Sequence, residues 1–142
     1  MLIGIIGENC SGKSTLADAL KTALPAEVVT GKDYLRMAKS PVEAERIFRE
    51  KLRTAVTGEN LIYVISEPEQ VRLLPEGARR ILVKADLDTI KARFAARMRG
   101  NLPAPVAAML EKKHGMFDSG AYEFIYDGVN GDPKALAEQL TR

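Results

Sequence analysis

The chain has a single cysteine, so an internal disulfide is excluded and an intracellular, reducing compartment fits; a cytoplasmic location is expected. Net charge is also scarce: 21 Lys and Arg against 19 Asp and Glu leave only +2. That balance does not mark a nucleic-acid binder, so any basic site must come from local clustering. No apolar run approaches membrane-spanning length. The opening "MLIGIIG" lacks a basic flank, is too short for a signal peptide, and reads as a buried first strand. Internal repeats and low-complexity tracts are absent. What is present is ordinary for a soluble globular protein, with 46% hydrophobic and 28% charged residues. The 142 residues suit one domain over 1–142, and the lack of an obvious apolar seam suits a monomer.

Strand and helix signals alternate. Leu2–Ile6 is a β-branched apolar run of the kind buried on both faces. Lys13–Leu24 carries Leu16, Ala19, Leu20, Ala23 and Leu24 at helical spacing and stops at Pro25. Glu27–Thr30 is a second strand. Ser40-Pro41-Val42-Glu43 is a capping box, and its helix places Ala44, Ile47, Phe48, Leu52 and Ala55 on one stripe before ending near Gly58. Leu61–Ser66 is a third strand, and Ser66–Glu69 reads as a second capping box opening a short helix that stops at Pro75. Arg80–Ala85 is a fourth strand and Leu87–Arg99 a helix ended by Gly100. "NLPAP" reads as a hinge, followed by a helix over Val106–His114 with Gly115 as its C-terminal cap. Glu123–Tyr126 is the fifth strand; Asp132 caps a last helix with Pro133 at its start. This alternation predicts a parallel five-stranded sheet covered by helices on both faces, with ligands beyond the carboxyl ends of the strands.

"GENCSGKS", Gly7 to Ser14, fits G-x-x-x-x-G-K-[ST] with a strand before and a helix after. Glycines let the backbone curl until successive N–H groups point at a phosphate, and the next helix adds its positive end. Gly7, Asn9, Cys10, Ser11, Gly12, Lys13, Ser14 and Thr15 are therefore the candidate donor-binding residues, with Lys13 reaching the β- and γ-phosphates and the Ser14 hydroxyl a candidate Mg²⁺ ligand. Cys10 is either a small loop filler or an oxidisable thiol at a helix N-terminus. Glu8 is expected to point away from the anion. The predicted fold is thus the three-layer α/β/α P-loop NTPase fold.

The D-x-x-G and N-K-x-D segments of a GTPase are missing, and the "LIYVIS" strand does not end in Asp, as a motor or transporter ATPase requires. Small kinases remain, which close arginines over the phosphates. "LDTIKARFAARMRG" puts Arg93 and Arg97 at i, i+4 on one helical face, beside an apolar face of Ile90, Phe94 and Met98. That face is either a solvated basic surface or a short lid, over about 93–118, whose guanidinium groups meet the transferring group. Lys112 and Lys113 lie on the next helix and add to the basic cluster.

With these motifs the chain resembles the nucleoside monophosphate kinases, adenylate kinase in particular, and more broadly small-molecule kinases such as shikimate kinase. "TGKDYLRMA" (Thr30–Ala38) resembles the family's T-G-D-x-L-R-x-A with Lys32 inserted. The resemblance gives Thr30 and Gly31 to the lining of the acceptor base and Arg36 to its phosphate, in an acceptor-binding insert of about 31–59. "ARFAARMRG" resembles D-R-x-x-x-R-x, which would pack Arg93 on the donor adenine and send Arg97 to phosphate. "DGVNGDPKALAEQL" resembles D-G-x-x-x-P-x, whose backbone touches the donor adenine; that implicates Val129, Asn130 and Gly131. The family's G-F-P-R segment is replaced by "SEPEQ", and 101–118 has no counterpart in adenylate kinase.

Asp33 has two readings: an acid that orients the acceptor hydroxyl or holds Mg²⁺ through water, or a helix N-cap before "YLRMA". Glu67 is either a metal ligand or first-turn helix charge. His114 is either a substrate contact or an exposed residue at a helix end. Together these readings imply an ATP- and Mg²⁺-dependent phosphotransferase with a small acceptor and no nucleic-acid or membrane partner. The acceptor is a nucleoside monophosphate or, alternatively, a non-nucleotide small molecule; a binding module without transfer is the non-enzymatic alternative.

Overall fold

The computed structural model describes residues 1–142. Its central strand, β1 (Leu2–Ile6), is buried at every position. Around it lie β2 (Glu27–Thr30), β3 (Leu61–Ile65), β4 (Arg79–Lys84) and β5 (Phe124–Asp127). All pair in parallel, in the order β2-β3-β1-β4-β5. Of the three inner strands, β1 and β3, "LIGII" and "LIYVI", are covered on both faces and carry no charge, while β4 buries only Ile81, Leu82 and Val83. The edge strand β5 alternates in burial, and β2 is shielded only at Val28 and Val29.

The period of two sorts strand side chains into two cores. Ile3, Ile5, Ile62, Val64, Ile81 and Val83 face α1 (Lys13–Ala23) and α6 (Pro133–Leu140). Leu2, Ile6, Leu61, Tyr63, Ile65 and Leu82 face α2 (Pro41–Val56), which buries Ala44, Phe48, Leu52 and Ala55. Tyr34 stacks on Phe48 at 4.8 Å, and Phe48 meets Tyr63 edge-on at 4.9 Å. These rings fasten the 31–59 segment to the sheet, each worth about 0.5–1.5 kcal/mol beyond its buried area. Ile47, expected on the same stripe, is only half-buried.

A third, smaller cluster joins the loop after β1 to the lid. Cys10, Ile90 and Leu110 are buried together, with Leu87, Phe94, Leu102 and Val106 around them. It packs α4 (Leu87–Arg97) and α5 (Ala104–Lys113) as a hairpin on the loop. No helix is long and apolar enough to cross a membrane.

Three local expectations are corrected. Ser66 neither ends β3 nor caps a helix: its N–H donates to Gln70 Oε1 at 3.3 Å, and the four-residue α3 (Pro68–Val71) starts after Glu67. Asp33 is not an N-cap, because "DYLRM" is a 3-10 helix with Asp33 inside its first turn and Lys32 before it. The lid helix stops at Arg97, two residues early, because Arg99 and Gly100 turn left-handed at φ 61° and 84°.

Candidate active site

The cradle is built by what the chain omits. After β1, the Gly7 N–H extends the ladder to Ile65 O at 3.2 Å, and the backbone then curls over itself. A β-carbon on Gly7 would stand 2.7 Å from both Ser11 Oγ and Val83 O, so only glycine fits. Cys10 and Gly12 are left-handed, at φ 65° and 110°. Gly12 precedes α1 without a side chain to cap it, and the first turn holds no acid. The amides of Lys13, Ser14 and Thr15 find no acceptor in the protein; the helical ladder begins with Leu16 N–H to Gly12 O at 3.1 Å. Open amides at an uncompensated helix start make an anion site. The Ser11 hydroxyl, 1% exposed, is the one buried side-chain polar atom without a partner.

Lys13 sits inside the cradle, 6% exposed, with Nζ donating to Glu8 O at 2.7 Å. Burial pulls its pKa down to about 8; Arg97 adds to that fall, while Cys10, Glu8 and Glu67 oppose it. A desolvated cation facing open amides gains the most from an arriving phosphate. Ser14 and Thr15 are exposed at the mouth, as is Asn9.

Beside the cradle lies a cavity of about 290 Å³ lined by Cys10, Gly12, Thr15, Leu16, Arg93, Arg97, Tyr126, Gly128, Val129 and Pro133. Tertiary structure brings together here three segments singled out in the sequence. Arg93 is their staple: Nη1 donates to Cys10 O at 3.1 Å and Nη2 to Gly128 O at 2.9 Å. Its guanidinium is therefore engaged by backbone carbonyls, where packing on adenine was expected. Arg97, one turn on, is exposed at the same cavity. The loop after β5 is shaped by Asp127, whose Oδ1 accepts from Val129 N at 2.8 Å and Asn130 N at 3.2 Å. Those two bonds hold its carboxyl below the usual range. Val129 lines the cavity, Asn130 lines a neighbouring one, and Gly131 lines neither.

On the other side of β1, Thr30 ends β2 and Gly31 turns left-handed at φ 54°. Gly31 N–H donates to Val64 O at 2.9 Å, and the Tyr63 hydroxyl donates to Gly31 O at 2.7 Å. Burial pushes that hydroxyl's pKa up, so Tyr63 stays a donor. Asp33 and Arg36 stand exposed on the 3-10 helix. None of Thr30, Gly31, Asp33 and Arg36 lines the 290 Å³ cavity. Glu67 follows β3, with Lys113 Nζ 4.0 Å away.

Gln70 joins this side without a sequence signal. It is 5% exposed, and its Oε1 accepts from Ser66 N. That bond orients the amide, leaving Nε2 without a hydrogen-bond partner and 3.8 Å from where a β-carbon of Gly31 would stand. A lone glutamine in a four-residue helix has neither period nor motif to mark it.

Size does not locate this site. A cavity of about 1080 Å³ lies at the opposite end of the sheet, against the starts of β2 and β3 and the side of α2. No three His, Cys, Asp or Glu side chains cluster as a metal site. The exposed Ser14 hydroxyl is a hard oxygen donor at the cradle, and among the acids singled out in the sequence Glu67 is close enough for its charge to act on Lys13.

No protein-family model matches the chain, and no curated protein sequence does. Solved structures do. A shikimate kinase from Acinetobacter baumannii in complex with shikimate superposes with a TM-score of 0.64 at 14% identity, covering 98% of this chain and 89% of that one. A gluconokinase from Sinorhizobium meliloti gives 0.62 at 14%, covering 99% and 95%. A deoxyadenosine kinase from M. mycoides with bound dATP gives 0.56 at 16%, covering 99% and 97%. With near-complete coverage in both directions, the chain has the three-layer α/β/α fold of the P-loop kinases.

Proposed function

We propose that the protein is a small-molecule kinase that transfers the γ-phosphoryl group of ATP to an oxygen of a small acceptor. The observation that carries the reading is the cradle: the uncapped start of α1, the buried Lys13, and two lid arginines converging on one adjoining cavity. The kinase fold supports it.

In this reading the amides of Gly12–Thr15 and Lys13 hold the β- and γ-phosphates. The adenine enters the cavity between Arg93 and the Gly128–Asn130 loop, whose shape the Arg93 staple maintains. Ser14, with Asp33 or Glu67 through water, would hold Mg²⁺, which would supply charge neutralisation for the triphosphate. Arg97 stabilises the charge on the transferring group, a role supported by its position at the cavity. Thr30, Gly31 and Arg36 hold the acceptor, Arg36 through an anionic group. Where the acceptor attacks through a hydroxyl, Asp33 accepts its hydrogen bond. A new bond forms between the acceptor oxygen and the γ-phosphorus, and the bond from that phosphorus to the β,γ-bridging oxygen breaks, so ADP leaves; a hydroxyl acceptor passes its proton to Asp33, whereas a monophosphate oxygen has none to pass. No covalent intermediate is needed; positioning and charge stabilisation suffice.

A nucleoside monophosphate is the acceptor that the 30–38 segment favours. A non-nucleotide acceptor is the second reading. The segment after β3 favours it: "SEPEQ" holds no arginine, where the nucleotide-kinase resemblance calls for one, and its buried polar side chain is Gln70. Gluconokinase and shikimate kinase among the structural relatives fit that reading equally.

The test is ATP consumption with Mg²⁺ against nucleoside monophosphates, nucleosides, shikimate and gluconate, with an acceptor-free control. Turnover stimulated by one acceptor is expected. ATP binding with no stimulation by any of them overturns the transferase reading in favour of a binding module.

A further inference from the structure

An acid inside an anion-binding loop is a liability, and the structure contains a device that contains it. Glu8 follows Gly7 directly, and its carbonyl holds Lys13 Nζ at 2.7 Å. Its carboxylate turns the other way. Oε1 lies 3.0 Å from His114 Nδ1, and Oε2 accepts from Gly115 N–H at 3.0 Å. Both partners come from the end of α5, more than a hundred residues away in sequence. Gly115 is left-handed at φ 79°, the turn that aims its N–H at the loop. The Glu8 side chain is only 17% exposed, so it is docked rather than solvated.

We propose that His114, with the Gly115 amide, is a positioning residue for triphosphate binding: it holds the Glu8 carboxylate off the phosphate cradle. This inference rests on reading Gly7–Thr15 as that cradle. The surroundings of Glu8 explain why a partner is required. Glu8 and His114 sit at a cavity of about 530 Å³ that also presents Asp86, Asp118 and Asp127. The one Lys or Arg there, Lys84, is 3.4 Å from Asp118. Remove the imidazole and the cavity repels the carboxylate, leaving one amide to retain it. The attractive alternative is the cationic side of the same loop, where Lys13 and Arg97 await phosphate and where the charge of Glu8 already acts on Lys13. A carboxylate that swings there neutralises Lys13 and repels the incoming anion.

The His114 ring therefore matters through Glu8, which makes the idea separable from a plain tether between lid and loop. Binding of ATP, inorganic tripolyphosphate and adenosine is measured by calorimetry on the intact protein. For His114→Ala, affinity for ATP and tripolyphosphate is expected to fall about fivefold to tenfold at low salt, with adenosine unaffected. Adding Glu8→Gln to that variant removes the stray charge and is expected to restore both to within about twofold of wild type. His114→Asn, which keeps an amide N–H near the Nδ1 position, is expected to bind like wild type. A double variant as weak as His114→Ala, or a His114→Ala protein with unchanged tripolyphosphate affinity, overturns the proposal. A wild-type protein that binds neither ATP nor tripolyphosphate overturns the cradle reading and this inference with it.

Discussion

Gly128 lies against the carbonyl of Ser11 so closely that a β-carbon at position 128 would stand 1.8 Å from the oxygen. The loop after β1 and the loop after β5 are thus in backbone contact, with Gly12 and Arg93 completing the seam. Gly128→Ala must push the two loops apart. We expect a loss of about 1–3 kcal/mol in stability and a larger proportional loss of ATP affinity than of acceptor affinity. Equal losses for the two ligands, measured by titration, would argue that the seam does not wall the donor cavity.

Arg93 and Arg97 share a helix face but not a role. Arg93→Ala strips two charge-assisted bonds from loop carbonyls, each worth about 1.5–3 kcal/mol, and should lower Tm by several degrees as well as weaken ATP binding. Arg97→Ala removes an exposed side chain. It should leave stability within about 0.5 kcal/mol while kcat falls about 10²-fold or more. Thermal melts and kinetics on the pair check the division; an Arg97→Ala enzyme with normal kcat removes that residue from the chemistry.

Lys13→Met tests the cost of burying a cation. Lys13 titrates near 8 in the fold against 10.5 unfolded, so the unfolded chain binds more protons between those values. The burial penalty is complete below about 8 and disappears as pH rises to about 10.5. We therefore expect Lys13→Met to be more stable than wild type at pH 7, by about 1–3 kcal/mol, with the gap closing across that window. Denaturant melts at pH 7 and 10 decide it. ATP affinity of the wild type should fall as pH passes above 8, and the methionine variant should not bind the triphosphate.

Gln70→Glu keeps the oxygen that holds Ser66 N–H and replaces the free amide donor with a carboxylate. If Nε2 faces the acceptor, KM for the acceptor should rise about tenfold or more with KM for ATP little changed. Parallel changes in both constants would instead mark Gln70 as a support for the loop after β3.

The elements that sequence periodicity could see are those with a local cause. The runs at Leu2–Ile6 and Glu27–Thr30 and the capped start of α2 stand where the pattern puts them. Ser66 misled because S-x-x-E also describes a residue whose N–H is taken by a side chain four positions on. Arg93 was legible as a cation of the lid but not as a staple, since its partners, Cys10 O and Gly128 O, are backbone atoms that any residue would present.

By itself the sequence determined the glycine-rich turn between a buried strand and a helix start, because that turn is a local construction whose open amides need no distant partner. It also determined the alternation of strands and helices, through side-chain period. Only the tertiary structure decided what surrounds the cradle: that Gly128 seals it, that Arg93 fastens it, that Glu8 is held at His114, and that Gln70 stands by Gly31. Each of these is a contact between segments distant in the chain, made by close packing and by polar groups seeking partners, and neither force leaves a period or a spacing in the sequence.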